Sequence, residues 1–177
     1  MNIKMVDLRS QYENIKSEVD KAIQETILDT AFINGPAVKK LQNELATYLD
    51  VRKVITCANG TDALQVAMMA LGLQPGDEVI TSNFTFIATV EVIALLKLKP
   101  VLVDVDPDSF NLDPDKIREA INPKTKAIVP VHLFGQSANM DEILSIAEEH
   151  NLFVIEDTAQ AIGADYFLPD GNTQKVG

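Results

Sequence analysis

The chain has 177 residues, enough to bury one sizeable core and too few to expect several independent domains. Fifteen Lys and Arg stand against 26 Asp and Glu, a formal net charge of −11, which excludes nucleic acid and an anionic membrane surface as partners because both are bound through a basic footprint. The single cysteine, Cys57, excludes an internal disulfide framework and suits a reducing compartment.

The N-terminal stretch MNIKMVDLRSQYENIKSEV holds no apolar segment of signal-peptide length, and no run elsewhere reaches membrane-spanning length, so a soluble, cytoplasmic protein is expected. From Gln11 to about Thr30, the apolar residues Ile15, Val19, Ala22, Ile23 and Ile27 recur at helical spacing. A short loop, FINGP (32–36), leads to a second amphipathic helix with Val38, Leu41, Leu45 and Tyr48 on one face. Strands and helices then alternate. VITC (54–57) reads as a strand and TDALQVAMMAL (61–71) as a helix that stops at Gly72. The Pro75-Gly76 turn feeds the strand EVIT (78–81), followed by the helix ATVEVIALLKL (88–98) and the strand PVLVDV (100–105). Asp113-Pro114 is a helix start, KAIVPV (126–131) a strand, MDEILSIAEEH (140–150) a helix and LFVIED (152–157) a strand.

The runs PVLV, AIVPV and LFVI are continuously apolar, as strands covered on both faces are. Five strands separated by helices predict an α/β fold: a mostly parallel open sheet flanked by helices. A helical segment over 1–50 and a sheet domain over 51–177 are the expected divisions.

Ligands of such sheets sit beyond the carboxyl ends of the strands. Those ends carry Ala58-Asn59-Gly60-Thr61, Asn83-Phe84-Thr85-Phe86, Asp104-Val105-Asp106, His132-Leu133-Phe134-Gly135-Gln136 and Glu156-Asp157-Thr158-Ala159-Gln160. Gly60 would let a ligand approach the backbone, and the following helix N-terminus favours an anion; the alternative is an ordinary turn with an N-cap. The Gly-x4-Gly-Lys-Ser/Thr and Gly-x-Gly-x-x-Gly patterns are absent, which argues against a triphosphate with Mg²⁺ and against a dinucleotide, and no metal site is expected. Phe84 and Phe86, two apart, should point opposite ways, one into the core and one toward the site, where an aromatic face can stack on a planar ring. Asp157 ends an apolar strand, where a carboxylate needs a partner; a cationic ring nitrogen would supply one, as would a cap or salt bridge. Glu156 should face away, and Gln160 lies close enough to reach the same ligand as Asp157. A phosphate seat, an aromatic plate and an Asp for a pyridinium nitrogen are together the parts of a pyridoxal 5′-phosphate (PLP) site.

The motifs NGTDAL, PGDEVI, NFTFIATVEVI, VLVDVDPDSFNLDP, TKAIVPVHLFGQ and VIEDTAQAIGA resemble, in order and spacing, the DegT/StrS-type nucleotide-sugar aminotransferases, PLP enzymes of fold type I. The resemblance begins at VDLRSQY and runs to the last residue. It implies an incomplete PLP-transferase large domain in which Gly60 and Thr61 bind the cofactor phosphate. It also implies that Phe86 stacks on the ring, Asp157 pairs with the ring nitrogen, and Gln160 lies near the phenolic oxygen. FINGP matches a segment near the active site of the family's dimers, and His132 falls at a strand end where a structural role is expected.

The family's Schiff-base lysine follows the IED strand, and the chain ends at Lys175-Val176-Gly177 before any residue that matches it. Lys175 belongs to a polar hairpin, DGNTQK, instead. No catalytic residue is therefore assigned, and the chain is expected to be the N-terminal half of a longer enzyme. Alone it should be inactive and, with an uncovered sheet edge, prone to aggregation. The complete protein would transfer an amino group, with glutamate the expected donor, to a keto group of a nucleotide-linked sugar for surface polysaccharide or amino-sugar synthesis, as a homodimer. The alternatives are a PLP-dependent deoxysugar dehydratase on the same scaffold and a non-catalytic α/β module that binds a phosphorylated metabolite.

Overall fold

A computed structural model describes residues 5–168 and 171–177. The chain divides into two compact units, one of residues up to Thr47 with Arg52–Thr56, the other of Tyr48–Val51 with Cys57–Gly177. The first unit contains α1 (Leu8–Leu28) and most of α2 (Pro36–Leu49). Asp7 caps α1 by accepting from the Ser10 N–H at 3.1 Å, and i,i+4 ion pairs such as Lys21–Glu25 line its surface. None of its residues is buried. The FINGP loop is closed by Gly35, where a Cβ would come within 2.4 Å of the Ala31 carbonyl oxygen, so no larger residue fits. Pro36 then opens α2 at its first turn, where a missing N–H costs nothing.

In the second unit, β1 (Glu78–Ser82), β2 (Lys99–Val103), β3 (Thr125–Val129) and β4 (Phe153–Val154) form one parallel sheet in the order β2-β1-β3-β4. Neighbouring residues of a strand point to opposite faces, and two apolar clusters result. Ile80 and Ile128 pack with Ile117 of α5 (Pro114–Ala120) and with Ile143 and Ile146 of α6 (Met140–His150). Val79 and Val129 pack on the other face with Met68 of α3 (Gly60–Ala70) and with Val92 and Ile93 of α4 (Ala88–Leu95). Every residue of β1 is buried, as its central position requires.

Four strands pair in parallel where five were expected. VITC (54–57) is no strand: its β-branched residues find no partner strand among the described residues, and Ile55 is 73% exposed. A strand needs a neighbour to bond with, which propensity alone does not supply. The predicted strand 152–157 shortens to β4 plus a single parallel bridge between Val131 and Asp157. The continuous apolar run of β2 is not covered on both sides, since Leu102 is half exposed at the sheet's outer strand. Helix α4 ends at Leu95 rather than 98, because Lys97 turns the chain with a positive φ of 59° into β2. The polar hairpin is present as β5 (Asp165–Phe167) and β6 (Thr173–Lys175), with Lys175 donating to Asp165 at 2.7 Å. No helix among the described residues is long and apolar enough to cross a membrane.

Candidate active site

Gly60, Thr61, Phe86, Asp157 and Gln160, distributed over a hundred positions of sequence, line one cavity of about 210 Å³ beyond the carboxyl ends of the strands. Leu64, Ala88 and Val131 give it an apolar floor.

The first two residues are set by the start of α3. Asn59 is its N-cap: the side-chain oxygen accepts from the Asp62 N–H at 2.9 Å, and its amide donates back to the Asp62 carboxylate at 3.1 Å. Helical bonding begins with the Ala63 N–H on the Asn59 carbonyl. The N–H groups of Gly60 and Thr61 make no hydrogen bond among the described residues, and they stand at the positive end of the helix dipole. A Cβ on Gly60 would meet no protein atom within 4 Å, so the glycine keeps open space rather than relieving a clash. The turn is thus an N-cap and an open pair of donors at once.

Asp157 is held at both its backbone and its carboxylate. Its N–H donates to the Pro130 carbonyl at 2.9 Å and its carbonyl accepts from His132 at 3.1 Å, fixing the main chain to the end of β3. One carboxylate oxygen accepts from the Thr89 hydroxyl at 2.8 Å and the other from the Ala159 N–H at 3.2 Å. Gln160 accepts from the Phe134 N–H at 3.0 Å through its side-chain oxygen, which leaves its NH₂ group available.

The expectation that one of Phe84 and Phe86 enters the core fails. Phe86 lines the cavity and is 71% exposed; Phe84 is 48% exposed and packs on Phe110, with ring centroids 5.8 Å apart. Phe110 in turn meets Phe134 edge-on at 6.2 Å. Both Phe110 and Phe134 adopt positive φ, 59° and 57°, a strained backbone for aromatic residues that no sequence pattern announces. Thr89 was also missed; its only signal is a hydroxyl on the otherwise apolar stripe of α4. Glu156 faces away from Asp157, as expected, and joins His132 at 2.9 Å. His132 is fully buried and its Nδ1 accepts from the Ala138 N–H, so the proton lies on Nε2 and the ring ties the segment after β3 to Glu156.

A helix-flanked parallel sheet thus brings two N–H donors that have no partner among the described residues, an aromatic ring and an oriented carboxylate around one cavity. Residues 13–177 match the DegT/DnrJ/EryC1/StrS aminotransferase family, and the chain belongs to it. It is 51% identical, over 94% of its length, to the pleiotropic regulatory protein of Geobacillus stearothermophilus. It is 50% identical, over 93% of its length, to the UDP-2-acetamido-2-deoxy-3-oxo-D-glucuronate aminotransferase of Pseudomonas aeruginosa. Among solved structures it is similar to NtdA from Bacillus subtilis with bound cofactor PMP, at a TM-score of 0.84 and 39% identity, covering 92% of this chain and 38% of that one. The chain spans about half the length of the curated relatives it matches, 45% and 46% of the two above. Aminotransferases of this family are PLP-dependent.

Proposed function

We propose that this chain holds PLP in the cavity at the start of α3 and serves an aminotransferase that converts a keto group of a nucleotide-linked sugar to an amine, with glutamate as donor. The observation that carries the proposal is the convergence of Gly60, Thr61, Phe86, Asp157 and Gln160 on one cavity. The residues fit the group: two N–H donors without partners among the described residues suit a phosphate, the open space at Gly60 lets it approach, and an oriented carboxylate suits a cationic ring nitrogen.

Bound PLP would supply an electron sink for the transfer of an amino group. Within the proposal, Gly60 and Thr61 would anchor the phosphate and Phe86 would pack against the ring. Asp157 would hold a proton on the ring nitrogen, and the Gln160 NH₂ group would be available to the phenolic oxygen. No lysine lines the cavity among the described residues. The proposal places the protein in the cytoplasm, in keeping with the exposed, unpaired thiol of Cys57, and takes the working form to be a homodimer.

Isothermal titration of the chain with PLP tests the reading. Saturable one-site binding that collapses in Asp157→Ala is expected. Absence of binding, or equal binding by the variant, overturns it.

A further inference from the structure

Thr89 is 1% exposed and lies beside Ala88, Val92 and Ile93 on the buried side of α4. A threonine there costs helix propensity relative to alanine, and within a helix its hydroxyl ordinarily bonds back to the carbonyl one turn earlier. Here it reaches Asp157 instead, 68 residues away in sequence, at 2.8 Å. A hydroxyl has one proton to donate, so the oxygen it meets acts as an acceptor. The second carboxylate oxygen faces the Ala159 N–H, another obligate donor. Two donors, one on α4 and one in the turn two residues beyond Asp157, therefore pin the carboxylate plane, while each oxygen keeps a further lone pair for a group in the cavity.

We infer that Thr89 is a positioning residue: its hydroxyl fixes the Asp157 carboxylate as an acceptor aimed at the cavity, so that a protonated heteroaromatic nitrogen bound there keeps its proton. The inference rests on the cofactor reading above. Without the hydroxyl, Asp157 is held on one side only and its carboxylate swings about its last bond, so the hydrogen bond to the ring is made in a fraction of conformers.

The test is a double-mutant cycle read by isothermal titration with PLP on the full chain: Thr89→Val, Thr89→Ser, Asp157→Ala and the double variant. Thr89→Val, which keeps shape and removes the hydroxyl, should weaken PLP binding by about fivefold to tenfold, less than loss of the Asp157 bond itself because the hydroxyl acts on the ligand only through that carboxylate. Thr89→Ser should restore it, and in the Asp157→Ala background Thr89→Val should change nothing further. With ring-¹⁵N PLP, the bound nitrogen resonance should move toward the unprotonated position in Thr89→Val and return in Thr89→Ser. Thermal melting of each variant separates loss of fold from loss of positioning, and if Thr89→Val melts early, the serine and alanine pair carries the comparison. Wild-type affinity and nitrogen shift in Thr89→Val, or an equal loss in the Asp157→Ala background, overturn the inference. If Asp157→Ala weakens binding while Thr89→Val does not, only this inference falls. If PLP does not bind, or Asp157→Ala binds it unchanged, the cofactor reading falls and takes this with it.

Discussion

At the amino end of the sheet, Glu78 is 5% exposed and both of its carboxylate oxygens are taken, one by the Asn122 amide at 2.6 Å and one by the Lys99 ammonium at 2.8 Å. At the carboxyl end, the Gly60 and Thr61 N–H groups have no partner among the described residues, and Asp157 keeps acceptor capacity toward a cavity. Both ends place a carboxylate on the same sheet. They differ in whether the polar valences are closed. A closed set stabilises the fold and has nothing to offer a ligand; an open set costs stability when empty and is retained where something binds.

That contrast can be broken from either end. The largest effect is expected from Asp157→Ala, which should weaken PLP binding about tenfold to a hundredfold, the range for a hydrogen bond to a charged group, while the melting temperature falls by only about a few degrees as the buried Thr89 hydroxyl loses its acceptor. A large drop in melting temperature would mean that Asp157 belongs with Glu78 as a structural group. Phe86→Ala should come next, with about a twofold to tenfold loss of affinity from removed ring stacking, again read by titration. Thr61→Val should lower affinity by a few-fold and leave melting unchanged, since its hydroxyl makes no bond within the described protein.

Glu78→Gln sharpens the other side and should leave PLP affinity untouched. The Asn122 hydrogen bond, and after it the Lys99 contact, hold the Glu78 carboxyl below the usual carboxylate range. A group whose folded value is lowered adds stability above its unfolded value and loses it as the pH falls through the folded one. The wild-type melting temperature should therefore decline as the pH drops below about 4.5, and Glu78→Gln should melt a few degrees earlier at pH 7 with a shallower acid decline. Parallel melting curves across that window would show that the pair contributes nothing.

The elements that read correctly from sequence are those with strong local signals. The apolar run of β3 is buried on both faces, β1 follows the Pro75-Gly76 turn as expected, and Asp113-Pro114 starts α5 by capping it. Phe86, Asp157 and Gln160 follow predicted strands and reach one cavity because a parallel sheet puts its loops at one end, whereas Gly60 and Thr61 follow VITC, which forms no strand, and reach it through the start of α3. VITC misled because β-branched composition reports a preference, whereas a strand exists only through its partner. Three further features lie beyond local reading. Thr89 and Asp157 meet only after α4 packs on the sheet, and Glu78 finds Asn122 across 44 residues. Phe110 and Phe134 hold a backbone conformation that their own side chains disfavour, so no propensity could have placed them together.

Cys57 stands exposed, its Sγ within 3.3 Å of the Asn59 carbonyl, three residues ahead of Gly60 and outside the cavity lining. Being the chain's sole thiol, it takes a maleimide fluorophore at one defined place without any prior mutagenesis. A dye attached there would sit three residues from Gly60, where a change in its emission on adding PLP would report occupation of the cavity.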